Sequence, residues 1–232
     1  MLIPQAFHAL VIGSSGAIGA AFVDCLRQDR RCLSLTELSR TIMPTFELTR
    51  PDSFPELVQA LRLQTSLNLV IDASGALAMP GARPEKALRE LAVDRLRFAI
   101  EVNAVGPLLL MQSLAPFLST KGPMLYVKLS ARVGSITDNR KGGWYGYRAS
   151  KAALNMMLQC VALEWQRSNP QAQVLALQPG TVRSALSKDF LQASPDALTA
   201  DASVGRFWQA LDQLEPKPGA QFVDYQGVAI PW

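Results

Sequence analysis

Residues 6–19 read Ala6-Phe7-His8-Ala9-Leu10-Val11-Ile12-Gly13-Ser14-Ser15-Gly16-Ala17-Ile18-Gly19. A continuous apolar run that ends on glycine is how a strand buried on both faces of a parallel sheet reads. Behind it, Ile18, Ala21, Phe22, Cys25 and Leu26 recur at helical spacing over residues 17–28, so a strand and a helix meet at a glycine-rich turn. Such a turn offers backbone N–H groups at a helix N-terminus, where the dipole favours an anion such as a pyrophosphate. The glycines alone would equally suit an ordinary strand–helix connection. Their place in the first βα unit is what points to a nucleotide, with Gly13, Ser14, Ser15, Gly16 and Ile18 as candidate contacts.

The alternation continues outward from this unit. Strands are expected at 32–38, 67–73, 124–130, 174–178 and 221–225. Helices are expected at 51–63, from Pro84 to about Val105, at 107–118, at 145–168 and at 204–214. Strands alternating with helices predict an α/β fold, a doubly wound parallel sheet with helices on both faces (the Rossmann arrangement). No repeat, low-complexity tract or linker divides residues 1–232, which read as a single domain.

Composition narrows the function. The chain has 232 residues, 49% hydrophobic and 18% charged, an apolar balance that excludes a disordered chain. Its formal net charge of +4 is spread without a dense basic tract, so a nucleic-acid surface is not expected. Three cysteines, Cys25, Cys32 and Cys160, share no metal-ligand spacing and read as packing residues in a reducing compartment. A single histidine, His8, excludes a multi-histidine metal site and argues against a Ser-His-Asp hydrolase. The apolar stretch 104–118 is short and carries Pro107 and Pro116, so no membrane span is expected. The chain therefore reads as soluble and cytoplasmic.

At the end of the second expected strand, Ser39-Arg40 falls at the strand-to-loop junction. An acid there suits the ribose hydroxyl of NAD, and a basic residue suits the 2′-phosphate of NADP. Arg40 favours NADP(H), with NAD(H) as the other candidate, although Arg40 would also serve as a solvated loop charge. Farther on, Tyr147 and Lys151 lie one helical turn apart in Trp144-Tyr145-Gly146-Tyr147-Arg148-Ala149-Ser150-Lys151. A phenol with a pKa near 10 is a poor acid or base at neutral pH. A neighbouring cation stabilises the phenolate and makes it usable for acid–base catalysis. Trp144 and Tyr145 beside this pair either wall a substrate pocket or cap a core.

With these residues in order, the chain resembles the short-chain dehydrogenase/reductase family over essentially its whole length. The glycine turn, Asn103 in Glu101-Val102-Asn103-Ala104, Tyr147-x-x-x-Lys151 and Pro179-Gly180-Thr181-Val182 match the family's order. The segment 130–136 and the ending Ile230-Pro231-Trp232 are similar to its C-factor/sniffer-like branch of small carbonyl reductases. The resemblance implies that Tyr147 exchanges a proton with the substrate oxygen while Lys151 lowers its pKa and holds the nicotinamide ribose. It further implies that Asn103 supports a water leading to the lysine. Ala73, Ser74 and Gly75, the counterpart of the family's N-N-A-G stretch, and Pro179, Gly180 and Val182 would contact the cofactor. A small carbonyl or alcohol substrate and a homo-oligomer follow from the same resemblance.

Two family motifs differ, with Ala17 for the central glycine and Asp72-Ala73 for Asn-Asn. The family's catalytic serine falls on Ala131, which has no hydroxyl. Ser135 is the expected substitute, with Ser130, one residue away on the opposite face of a strand, as the other candidate. Residues 184–203 occupy the place of the substrate lid; short and polar, they suit small carbonyl compounds. Two rivals remain: a nucleotide-binding regulatory protein with little turnover, and, ranked last, a sugar-nucleotide epimerase, for whose substrate domain the C-terminal region leaves little room.

Overall fold

The computed structural model describes residues 2–62, 66–184 and 195–232. The strands are β1 (Phe7–Ile12), β2 (Cys32–Leu38), β3 (Leu69–Asp72), β4 (Met124–Leu129), β5 (Ala172–Gln178) and β6 (Gln221–Asp224). They form one six-stranded, all-parallel sheet in the order β2-β1-β3-β4-β5-β6. The helices are α1 (Ala17–Gln28), α2 (Phe54–Ala60), α3 (Val93–Ile100), α4 (Gly106–Leu114), α5 (Tyr145–Ser168) and α6 (Ala200–Leu211).

Alternate strand residues build two cores, because successive side chains leave a strand on opposite faces. Leu10, Ile12, Val70, Tyr126, Val174 and Ala176 point to one face and pack with Phe54, Leu110, Leu154 and Leu158 of α2, α4 and α5. Ala9, Val11, Ile71, Val127, Leu175 and Leu177 point to the other and meet Phe22 and Leu26 of α1 and Val204 and Phe207 of α6. The sheet is thus covered on both sides, as the apolar runs required. From β1 the chain moves to β2 on one side and afterwards to β3 on the other, so a crevice opens beyond Ile12 and Asp72, where ligands of open α/β sheets bind.

The helix expected from Pro84 is corrected. Residues 84–92 hold only a 3-10 turn at Leu88–Glu90, and α3 starts at Val93. Glu85 is used elsewhere: its carbonyl accepts the Trp144 N–H and its carboxylate accepts the Gly146 N–H, clamping the start of α5. The expected break before Pro107 is also absent. α3 runs through a π-helical turn, Glu101–Val105, directly into α4, and Pro107 follows two residues after that turn inside the continuous helical span. The segment Val93–Phe117 is long and apolar enough to cross a membrane by length and composition, but Leu110, Met111 and Leu114 spend that apolarity on the sheet.

Candidate active site

Gly13 leaves β1 at φ +78°, a left-handed conformation that favours glycine, and its N–H donates to Leu38 O at the end of β2. On the far side of the crevice the end of β3 presses on it, since a Cβ at Gly13 would sit 3.1 Å from Ala73 C and Ser74 N. α1 then begins behind Gly16 with no side-chain cap and no acidic residue in its first turn, so its dipole faces the crevice uncompensated. Ser14 is buried and its Oγ has no hydrogen-bond partner. An orphaned hydroxyl beside an uncapped helix start is the donor set a pyrophosphate requires, and the site fits a dinucleotide on that ground. The crevice is a cavity of about 700 Å³.

The titratable pair of α5 does not line this cavity; Tyr147 lines a separate small space with Ala78, Glu85 and Gly146. Lys151 is 3% exposed; its Nζ donates to Leu129 O at 3.0 Å and lies 5.8 Å from the centroid of the Tyr147 ring. Burial drives the Lys151 ammonium down to about 7, helped by the nearby Lys128 charge and opposed by Asp72. Tyr147 keeps some exposed surface, but the crowding of its phenol by protein pushes it up to about 12. The expectation that the cation lowers the phenol's pKa is therefore not met by these atoms alone: Nζ is engaged by a carbonyl rather than by the phenolic oxygen, and desolvation dominates. Trp144 packs edge-on against Tyr147, ring centroids 6.2 Å apart, so it walls the pair.

Asn103 connects this pair to the cavity wall at Ala76. It sits on the π-helical turn, a feature that recurs at functional sites, and its amide brackets Ala76, accepting from N at 2.9 Å and donating to O at 2.8 Å. The same Nδ2 donates to Ser150 Oγ, which in turn donates to Tyr147 O. Gly75, at φ +144°, passes so close that a Cβ there would fall 2.9 Å from Asn103 Oδ1 and 3.6 Å from Lys151 Nζ.

The family model for short chain dehydrogenases matches residues 31–194. The chain belongs to the short-chain dehydrogenase family. A 1-hydroxy-2-glutathionyl-2-methyl-3-butene dehydrogenase from Rhodococcus is 30% identical over 195 residues, 83% of this chain and 80% of that protein. The C-signal of Myxococcus xanthus is 35% identical over 133 residues, 56% of this chain and 75% of its own. A crystal structure of NADPH-bound carbonyl reductase from chicken fatty liver aligns with a TM-score of 0.79 at 21% identity, covering 100% of this chain and 96% of that one; at that identity the likeness is one of fold.

In this short-chain dehydrogenase the cavity is lined by Gly13, Ser15, Gly16, Ser39, Arg40, Ala73, Ser74 and Gly75. Ser14 lies buried in the turn itself. Ile18 is half-buried against the α1-side core and is not among the residues that line the cavity. Pro179, Gly180 and Val182 follow β5, and Gly180 lines a separate space of about 260 Å³ with Thr181, Leu198 and Tyr225. Val182 is buried and bridged to Leu198. Of the lid segment 184–203, residues 185–194 lie outside the described residues.

The two candidate serines differ in their hydrogen bonds. Ser130 Oγ donates to Asn155 Oδ1 at 2.6 Å inside the protein, which occupies its hydrogen. Ser135 is buried and its Oγ accepts the Asp138 N–H, an arrangement that leaves the hydroxyl hydrogen available to donate.

Several residues were not singled out by the sequence. Phe46, Leu48, Phe98 and Val102 line the cavity, but nothing local distinguishes them from core residues. Asp72 and Lys128 carry a signal that was there to be read: each is a charge within an apolar strand. They are direct neighbours across β3 and β4, fully buried, with Nζ to Oδ1 at 2.8 Å.

Proposed function

We propose that this chain is an NADP(H)-dependent oxidoreductase that interconverts a carbonyl and an alcohol. The observation that carries the reading is the Tyr147–Lys151 pair on one face of α5, with Lys151 buried and the Tyr147 carbonyl tied through Ser150 and Asn103 to Ala76 on the cavity wall. When bound, the nicotinamide supplies or accepts the hydride. The protein's part is acid–base chemistry and placement. Tyr147 gives a proton to, or takes one from, the substrate oxygen, and its high pKa keeps it protonated as a donor for reduction at neutral pH. Lys151, held near 7 by burial, passes a proton at modest cost in either direction, and Asn103 fixes the turn beside it.

NADP(H) over NAD(H) is supported by the end of β2. Arg40 and Ser39 face the cavity, Arg40 in a 3.4 Å surface pair with Glu47 on the same wall, whereas Glu37 is paired with Arg27 of α1 at 2.6 Å and does not line it. A guanidinium at that rim suits a 2′-phosphate. Ser135 stands in for the serine replaced by Ala131, and a homo-oligomer is the expected assembly.

A second reading, a nucleotide-binding regulatory protein with little turnover, draws on Ala131 and on the likeness to the C-signal. Titrating NADPH and NADH, then screening small carbonyl compounds by cofactor absorbance, separates the two. Tighter NADPH binding followed by turnover supports the enzyme; NADPH binding with no turnover across a broad panel supports the regulator.

A further inference from the structure

Burying a lysine and an aspartate completely inside a parallel sheet is costly unless geometry and hydrogen bonding are nearly complete. Here both side chains are 0% exposed, and what they grip is the turn beneath the crevice. Lys128 Nζ donates to Ser74 O at 2.7 Å and to Ser74 Oγ at 3.1 Å. Asp72 Oδ1 accepts from the Ser74 N–H at 2.9 Å and from the Ser74 hydroxyl. Every polar atom of Ser74 is therefore held by the pair. Two residues later Ala76 is held at both backbone groups by Asn103, and Gly75 between them is the residue that approaches Lys151 Nζ. Tyr126 closes the far side, its hydroxyl 3.5 Å from Asp72 Oδ2.

We propose that Asp72 and Lys128 are positioning residues for the proton-transfer site, pinning Ser74, and through it Gly75 beside Lys151, from within the sheet. The inference rests on the reading of Tyr147 and Lys151 given above. The grip needs the full reach of Lys128, whose Nζ meets both Ser74 O and Ser74 Oγ, and the residue next along, Gly75, is the one beside Lys151 Nζ.

The other charged groups on elements packed around Lys151 are turned away or already engaged. Arg132 and Asp138 pair with each other on the surface. Arg148 donates to the carbonyls of Gly142 and Gly143. Glu85 accepts from Gly146 N at the start of α5, and Asp94, Arg95, Arg97 and Glu101 are exposed. Tyr147, on the same helix as Lys151, is protonated at neutral pH. Lys128 repels the Lys151 proton and Asp72 attracts it, the repulsion being the larger, so removing both charges raises the pH at which Lys151 titrates.

The test compares the full-length wild type with D72N/K128N and with Asp72→Leu/Lys128→Met, which fills similar volume without charge and serves if the amide pair fails to fold. The readouts are the Nζ titration of Lys151 by nitrogen-15 lysine NMR, assigned with Lys151→Met, and NADPH affinity by fluorescence. In both variants Lys151 is expected to titrate higher than in the wild type, because the larger of the two charge effects on it, the repulsion from Lys128, is removed. NADPH affinity is expected to fall about tenfold or more in both variants, since neither asparagine nor methionine at 128 can donate to Ser74. An unmoved Lys151 titration in the folded variants overturns the proposal, as does unchanged affinity in them. The amine titration needs no turnover, so an inactive wild type overturns the functional reading alone.

Discussion

Replacing Gly19 by alanine tests the nucleotide turn more sharply than any side-chain truncation. A Cβ at Gly19 would stand 2.1 Å from Gly13 O, 2.7 Å from Gly13 C and 3.1 Å from Ser14 Cα. All three are backbone atoms of the turn, so no rotamer change relieves the overlap. Reaching ordinary contact at 3.4 Å moves the turn or the helix start by about 1.3 Å. Overpacking of this kind costs about 1–3 kcal/mol, while alanine's helix preference returns roughly 0.5–1 kcal/mol. Gly205→Ala isolates that second quantity, because Gly205 lies within α6 with nothing inside 4 Å of its Cβ position. For a chain of this size each kcal/mol is about 2–4 °C in Tm, so G19A should melt about 2–12 °C below G205A. With the N–H donors of the turn displaced, NADPH Kd should rise about tenfold or more in G19A and stay unchanged in G205A. Thermal melts and nucleotide fluorescence titration give both numbers. Equal Tm and equal Kd in the two variants would refute the assignment of residues 13–19 as a close-packed phosphate turn.

Arg40→Leu should weaken NADPH about tenfold and leave NADH unchanged, the rim position of Arg40 keeping the loss at the low end for a charge-assisted contact; paired fluorescence titrations read it. Ser135→Ala should lower kcat about 10²–10³-fold on a good carbonyl substrate if its hydroxyl donates to the substrate oxygen, and full kcat in that variant removes Ser135 from the site. Lys151 sits near 7 in the folded protein against an ordinary 10.5, so the unfolded chain binds the extra proton between those values and stability rises with pH across that window. Lys151→Met lacks this contribution: its Tm advantage over the wild type should be largest below about pH 7 and shrink toward pH 10, as parallel melts would show.

The fold was legible because each strand had to be buried on both faces and each helix on one. α1, β2 and α5 therefore match their expected bounds. The helix expected from Pro84 was misread because apolar periodicity over residues 84–92 carries no information about Glu85, whose bonds go to α5 sixty-one positions away. The phosphate turn and the Tyr147–Lys151 pair are local in sequence and could be read from spacing. The outer cavity wall at Phe46 and Leu48, and the position of Ile18, depend on how loops and helices rotate onto the sheet, which no local pattern states. The protonation balance was likewise hidden. That Lys151 bonds Leu129 O while burial raises Tyr147 depends on packing depth, and the charges acting on Lys151 come from two strands distant in sequence.

The most direct measurement is the turnover of Tyr147→Phe beside the wild type, on any carbonyl substrate the wild type reduces, with NADPH affinity measured on the same preparations. Removal of the phenolic hydroxyl should lower kcat about 10²–10⁴-fold while Kd for NADPH stays within about threefold, since the ring and its contact with Trp144 remain. A phenylalanine variant that binds NADPH normally and reduces the substrate at the wild-type rate would contradict the account.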